Sequence, residues 1–197
     1  GAAQFEVWDG EDWVQLGALT WISHADQIRW LGDVVFAGDG QSGFAVINRI
    51  VSWFGVSVFS DLVQFVVEDD SVFWGDTLGY QMNGVHSLWN VSYDGNVVIY
   101  HDQLYEYDSD TELWTSDLIG TGSWTMDSDA SHLMNKQGDE AVLYARVLGL
   151  TTEQNRWPVH PSGLGSKKPE LSEDGESFVW SASSPGIPYG PTYLIGT

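Results

Sequence analysis

Residues 85–118 read VHSLWNVSYDGNVVIYHDQLYEYDSDTELWTSDL, and this stretch decides the fold class. Asp94-Gly95 predicts a β-hairpin turn of type I′, which needs a positive φ at both of its central residues. Residues 96–100 are rich in the β-branched and aromatic residues that suit a pleated sheet surface. Two further short runs flank the polar turn residues 108–111. The stretch therefore predicts three or four antiparallel strands joined by tight polar turns.

The neighbouring regions extend the same pattern. Residues 4–16, QFEVWDGEDWVQL, predict another hairpin with Trp8 and Trp13 on either side of its turn. Residues 44–67 form the longest hydrophobic region, and we expect them to form the buried core of the protein. Their β-branched residues favour strands, although a helix over residues 44–53 stays open, because short apolar runs do not separate the two structures. We expect Arg49 in this region to form a structural ion pair with a carboxylate.

The composition supports an all-β fold throughout. The chain has 197 residues, of which 14% are aromatic, with eleven Trp and 22 Gly. Short aromatic runs separated by Gly, Asp and Ser predict an antiparallel meander, a sandwich or a barrel-like domain. We expect a main β domain over residues 1–148. A Pro- and Gly-rich irregular extension with one further strand is expected over residues 149–197. Residues 75–84 and 119–138 are expected to be loops or loosely structured.

The charge excludes several classes of partner. Seven basic residues stand against 28 acidic ones, giving a formal net charge of −21. Such a surface repels phosphate backbones, so we expect no nucleic-acid binding. We also expect no membrane insertion, because the hydrophobic region of residues 44–67 is interrupted by polar and charged residues. The absence of cysteine excludes disulfides, thiolate metal sites and cysteine catalysis.

The sequence contains no clear catalytic or metal-binding motif, so we expect neither an enzyme nor a bound cofactor. His101-Asp102 could be half of a catalytic triad, but no G-x-S-x-G nucleophile motif accompanies it. Asp108, Asp110 and Glu112 place carboxylates at alternate positions, as calcium loops do. The Gly and the bidentate Glu of an EF-hand are missing, so these residues are interpreted as a solvated turn.

Two resemblances rest on short hairpins. Residues 105–114, YEYDSDTELW, resemble the YD-x-x-T-x-x-W hairpin of a kelch blade. Since a kelch propeller needs several blades of about 50 residues each, this resemblance implies a hairpin and not a propeller. Residues 7–14, VWDGEDWV, resemble the W-DG-x-W-V hairpins of tailed-phage virion proteins, whose β modules are cysteine-free and rich in glycine and aromatic residues. This second resemblance implies a decoration, fibre or tail protein.

We therefore predict a non-enzymatic structural or decorating protein of a virus-like particle, located in the virion or outside the cell. It would assemble as a homo-oligomer or with other virion proteins. The Pro-rich tail lacks regular pairing of its own, since proline has no N–H, and is expected to dock on another chain. The expected contact residues are Ile187, Tyr189, Tyr193 and Leu194. Two alternatives stay open: a carbohydrate- or receptor-binding β module, and a glycan-acting hydrolase with paired carboxylates in a cleft.

Overall fold

All regular elements in the described part of the chain are β-strands, so the all-β prediction is confirmed. The structure is a computed structural model. It describes residues 2–8, 13–20, 27–52, 56–69, 71–82, 88–137, 140–147, 150–158, 165–166, 169–183 and 192–196. Within them, no helix is long and apolar enough to cross a membrane, and no sheet closes into a barrel. The chain divides into two compact units, residues 1–88 and 89–197.

The first unit contains a hairpin and a four-stranded antiparallel meander. The strands are β1 (Ala2–Trp8), β2 (Trp13–Thr20), β3 (Gln27–Phe36), β4 (Ser42–Ser52), β5 (Val56–Glu68) and β6 (Ser71–Met82). Strands β1 and β2 pair with Trp8 opposite Trp13, which confirms the predicted hairpin, although its turn lies outside the described residues. Strands β3 to β6 lie in sequence order in one sheet.

The hydrophobic region of residues 44–67 supplies buried side chains of this meander, including Phe44, Val46 and Phe65. It forms β4 and β5, so the helix considered for residues 44–53 is wrong. Arg49 Nε lies 2.8 Å from Asp61 Oδ2, which confirms the expected ion pair. The loop expected at residues 75–84 is also wrong up to residue 82, because β6 pairs with β5 through register shifts that accommodate its glycine-containing sequence.

The described residues of the second unit form three further sheets. Their strands are β7 (Leu88–Val91), which begins at the last residue of the first unit, β8 (Val97–Tyr100), β9 (Gln103–Asp108), β10 (Leu113–Leu118), β11 (Ser123–Met126), β12 (His132–Gln137), β13 (Glu140–Val147), β14 (Leu150–Pro158), β15 (Gly165–Ser166), β16 (Glu170–Leu171), β17 (Ser177–Ser183) and β18 (Thr192–Gly196). Strands β7 to β10 form one meander and β11 to β14 the next, while β17 pairs with β15, β16 and β18. A four-stranded meander is the unit from which β-propeller blades are made.

Among the described residues, two hydrophobic clusters connect these sheets. Trp124, Leu133 and Ile99 belong to a buried cluster that joins the β7–β10 sheet to the β11–β14 sheet. A second buried cluster includes Leu143 and Phe178, and it joins the β11–β14 sheet to β17. Each cluster fixes the position of one sheet on the next, because a closely packed interior admits few alternative arrangements.

The carboxyl-terminal region is more regular than the sequence suggests. Strands β11 and β12 lie in the stretch expected to be loose. The described residues after 149 form five strands where one was expected. The change in composition there falls inside the second unit, between the paired strands β13 and β14. The proposed docking residues Tyr193 and Leu194 lie in β18, opposite Trp180 and Val179 of β17. The expectation that the tail lacks its own pairing is wrong for this proline-free segment; Ile187 and Tyr189 lie outside the described residues.

Candidate functional site

In the described part of the chain, four hairpin turns share one backbone geometry. They span residues 37–42, 92–97, 127–132 and 172–177, and we number their positions one to six. In each turn the N–H of position one donates to the carbonyl of position six, and the N–H of position four donates to the carbonyl of position one. The N–H of position five donates to the carboxylate of the Asp at position three, at 2.8–3.0 Å. The four turns therefore share one hydrogen-bonded turn structure.

Position four of each turn has a positive φ, which is 67° at Gly40, 74° at Gly95, 57° at Ala130 and 71° at Gly175. Gly95 is therefore in the left-handed region, whereas Asp94 is not. The turn predicted at Asp94-Gly95 is confirmed, but its assignment to type I′ is wrong. It is a type I-like turn closed by the bond from Gly95 N–H to Ser92 C=O, followed by a left-handed residue.

In the second unit, backbone hydrogen bonds connect position two of three successive turns. The N–H of Tyr93 donates to the carbonyl of Ser128 at 2.6 Å, and the N–H of Ser128 donates to the carbonyl of Glu173 at 3.1 Å. The Ser128 hydroxyl also donates to that Glu173 carbonyl, at 2.9 Å. The three turns thus lie side by side, and each of the first two donates a backbone hydrogen bond to the turn that follows it. We call this arrangement the turn row, and its residues are 92–97, 127–132 and 172–177.

An open cavity of about 370 Å³ lies along the turn row. Its lining residues are Tyr93, Asp94, Ser128, Asp129 and Glu173. Tyr93 is 66% exposed, so much of this aromatic residue is open to solvent. An exposed ring beside three acidic residues suits a ligand that carries positive charge, because a cation is attracted both by carboxylates and by an aromatic face.

The Asp at position three is held ionised by the turn itself. For Asp129, the backbone N–H and then the hydroxyl of Ser131 hold the pKa below its usual range. For Asp174, the hydroxyl of Ser172 and the N–H of Glu176 have the same effect on the pKa. Burial of Asp94 opposes ionisation, but hydrogen bonds from Ser92 and Asn96 outweigh it and lower the pKa. These carboxylates stabilise their turns and keep the turn row negatively charged.

The middle turn carries side chains that the flanking turns lack. In the flanking turns, position one is Ser92 or Ser172, whose hydroxyl accepts the N–H of position six at 2.9 or 3.0 Å. In the middle turn, position one is Asp127, whose carboxylate accepts the N–H of His132 at 3.0 Å. Asp127 is also 3% exposed, so the middle turn buries a carboxylate where the first turn of the row buries the hydroxyl of Ser92.

Asp127 also fixes the imidazole of His132. Its Oδ2 lies 2.7 Å from Nδ1 of His132 and accepts the Ser131 hydroxyl at 2.8 Å. A carboxylate beside Nδ1 places the proton on that nitrogen, which makes Nε2 the acceptor of the neutral ring. Ser131 also lies on the Nδ1 side, at 3.0 Å. In a serine-protease triad the nucleophile bonds to Nε2 instead, so Ser131 is not placed as an activated nucleophile.

His132 lines a second open cavity, of about 450 Å³. The other lining residues are Leu143, Ala145, Gln154, Asp174, Gly175 and Glu176. Gly175 belongs to the third turn of the turn row and packs directly on the Asp127–His132 pair. A Cβ atom at this glycine would lie 2.5 Å from Nδ1 of His132 and 2.7 Å from Oδ2 of Asp127. The absence of a side chain at position 175 is therefore required for the imidazole to keep its place.

The candidate residues identified from the sequence lie elsewhere. His101, with a φ of 58°, and Asp102 form the tight turn between β8 and β9. Asp108 accepts hydrogen bonds from Asp110 N–H at 2.9 Å and from the Thr111 hydroxyl at 2.8 Å, so both its oxygens serve the hairpin turn. Within the described ranges, no group of three His, Asp or Glu side chains is placed to hold a metal ion. The interpretation of residues 108–112 as a solvated turn that needs no calcium stays a prediction.

The middle turn and its cavity were missed from the sequence, although a signal was present. Three of the four turns contain Asp-Gly, at residues 39–40, 94–95 and 174–175, and the fourth contains Asp-Ala at 129–130. In each of them a strand begins two residues later. The spacings of 55, 35 and 45 residues are uneven, so the repeat is not evident as a fixed period. Only the shared hydrogen bonds identify the four segments as copies.

Comparison with known proteins adds no functional assignment. No family model and no curated protein matches the chain. Among solved structures, a functionally unknown protein from Desulfotomaculum acetoxidans is 12% identical with a TM-score of 0.47, covering 97% of this chain and 81% of that one. A protein from Lactobacillus plantarum is 13% identical with a TM-score of 0.44, covering 88% and 68%. A candidate 6-phosphogluconolactonase from Bacteroides fragilis is 12% identical with a TM-score of 0.42, covering 83% and 69%.

Proposed function

We propose that the chain is a non-catalytic structural and binding protein that holds a positively charged partner on its turn row. The observation that carries this proposal is the cavity lined by Tyr93, Asp94, Asp129 and Glu173, in which Tyr93 is 66% exposed. The backbone bonds that run from Tyr93 through Ser128 to Glu173 support it, because they hold the lining residues in a fixed arrangement. A preorganised surface loses little conformational entropy when a partner binds.

The chemistry of the partner follows from charge. With a net charge of −21, the protein attracts basic surfaces over distances comparable to the Debye length. At the cavity itself, a Lys or Arg side chain can stack on Tyr93 while its cationic group contacts the neighbouring carboxylates. The particle-associated role predicted from the sequence is one case of this function, in which the partner is a shell or tail protein.

The test uses a fluorescently labelled hexalysine peptide and measures its binding by anisotropy. We expect Tyr93→Ala to weaken binding by about threefold to tenfold, the range that a cation–π contact supplies. The matched control is Tyr80→Ala, since Tyr80 is also a largely exposed tyrosine, at 62%, but lies on β6 of the first unit. This control should bind the peptide as the unmodified protein does.

Salt separates the basic partner from the carbohydrate alternative. Raising NaCl from about 50 mM to about 300 mM should weaken hexalysine binding by roughly tenfold or more, because screening acts on every exposed charge pair. A neutral oligosaccharide bound on the Tyr93 ring would show almost no such dependence. If the two tyrosine variants bind hexalysine equally, or binding is insensitive to salt, the proposed function is wrong.

A further inference from the structure

The middle turn carries side chains that its backbone hydrogen bonds do not need. The turn at residues 37–42 has Ala37 at position one, yet it makes the same three hydrogen bonds. There, Asp39 at position three accepts the N–H of Ser42 at 2.8 Å. The flanking turns of the turn row use only a serine at position one. A buried carboxylate at this position is therefore not needed to form the turn, and burying one is costly unless it is well paired.

We propose that Asp127 serves to orient His132 as a ligand-contacting residue, and that the cavity of about 450 Å³ binds a small primary amine. This cavity is distinct in its lining from the one at Tyr93, so the inference does not depend on the proposed function. Its volume lies within the range of about 300–1,000 Å³ typical of small-molecule sites. The short contact between Asp127 and Nδ1 leaves Nε2 as the atom that His132 offers to a ligand.

The lining residues favour an amine. Within the described residues, the side-chain hydrogen bonds of His132 involve Nδ1 and those of Asp174 involve Oδ1. Nε2 of His132 and Oδ2 of Asp174 are therefore the atoms that can accept from a ligand when the ring is neutral. A protonated primary amine supplies three N–H donors and the positive charge that a carboxylate pairs with. Leu143 and Ala145 supply an apolar wall for a short alkyl chain. The amine class thus matches the acceptors, the charge and the apolar wall together.

The flanking turns provide substitutions that keep the backbone intact. Asp127→Ser restores the residue found at position one in both flanking turns, so the N–H of residue 132 keeps an acceptor while the imidazole loses its orienting carboxylate. His132→Val introduces the residue that occupies position six as Val97. Asp108→Asn is the charge-matched control, because it removes one negative charge, as Asp127→Ser does, from a turn that does not line the cavity.

The experiment titrates the protein with putrescine and follows both the heat of binding and the imidazole nitrogen shifts of His132 by NMR. We expect the Nε2 resonance to move on binding. We expect Asp127→Ser and His132→Val each to weaken binding by about tenfold or more, while Asp108→Asn changes the affinity by less than about twofold. Thermal melts of all variants separate a local loss of the site from a loss of the fold.

Three results would overturn the inference. One is the absence of any His132 shift up to about 20 mM putrescine. Another is an equal loss of affinity in Asp108→Asn and Asp127→Ser, which would assign the binding to overall charge. The third comes from a parallel titration with maltose, which offers donors without charge. If maltose shifts the Nε2 resonance and putrescine does not, the cavity binds a neutral polyol and the amine class is wrong.

Discussion

The middle turn of the turn row differs from its two neighbours in side chains but not in backbone. All three turns close with the same hydrogen bonds and place an Asp at position three. The neighbours have serine at position one, whereas the middle turn buries Asp127 beside His132. Position three therefore maintains the turn, whereas the side chains at positions one and six can differ while the backbone of the turn stays the same.

The largest loss of unfolding free energy is expected where one turn packs on another. Gly40 and Gly175 occupy the same turn position with φ of 67° and 71°, but a Cβ atom would meet nothing at Gly40 and would clash with the Asp127–His132 pair at Gly175. Gly40→Ala should cost about 1–2 kcal/mol from the left-handed backbone alone. Gly175→Ala should cost about 1–3 kcal/mol more through overpacking. Urea denaturation measures both, and equal costs would show that the third turn does not pack on the pair.

A smaller effect is expected from removing the acceptor at position one of the middle turn. Asp127→Ala leaves the His132 N–H and the Ser131 hydroxyl without their carboxylate partner. An unsatisfied buried donor costs about 1–3 kcal/mol of unfolding free energy. Asp127→Ser should cost clearly less, because serine fills this position in both neighbouring turns. The same denaturation experiment ranks the two variants, and the reverse order would mean that the turns are not equivalent.

The smallest effect is expected on the stability of the protein at acidic pH. The pKa of Asp129 and the pKa of Asp174 both lie below 3.8 in the folded protein. The unfolded chain therefore binds protons first as the pH falls. The stability that these groups contribute is fully present well above pH 3.8 and is lost as the pH falls through that value and below it. The melting temperature should decline over this range, and less steeply in Asp129→Asn. An identical acid profile for this variant would contradict the role of position three.

The hairpin architecture was predictable because its signals are local. Asp94-Gly95 and the Tyr107-to-Trp114 segment place turn-forming residues between β-forming runs, and both fold as neighbouring strands. The Tyr107 and Trp114 rings lie 5.4 Å apart across their hairpin. The strand pairing of Trp8 with Trp13 was found for the same reason. In each case, the residues that decide the structure lie within a few positions of one another.

The remaining strands and the candidate site depend on contacts between distant residues. Strand β14, LTTEQNRWP, is largely exposed and polar, so its strand character comes from pairing with β13 and not from its own pattern. Strand β11 contributes Trp124 and Met126 to a cluster completed by residues of other strands. Likewise, Tyr93, Ser128 and Glu173 meet although 35 and 45 residues separate them along the chain. The local hydrophobic periodicity of a sequence does not indicate such contacts between distant residues.

The backbone hydrogen bonds that join the three turns hold both proposed sites together, and amide hydrogen exchange measured by NMR tests them. The N–H groups of Tyr93 and Ser128 donate to the next turn, whereas the Glu173 N–H has no acceptor in the described part of the chain. We expect the Tyr93 and Ser128 amides to exchange at least about 100-fold more slowly than the Glu173 amide. If all three amides exchange at the same rapid rate, the turns do not form a row, and the sites built on it are wrong.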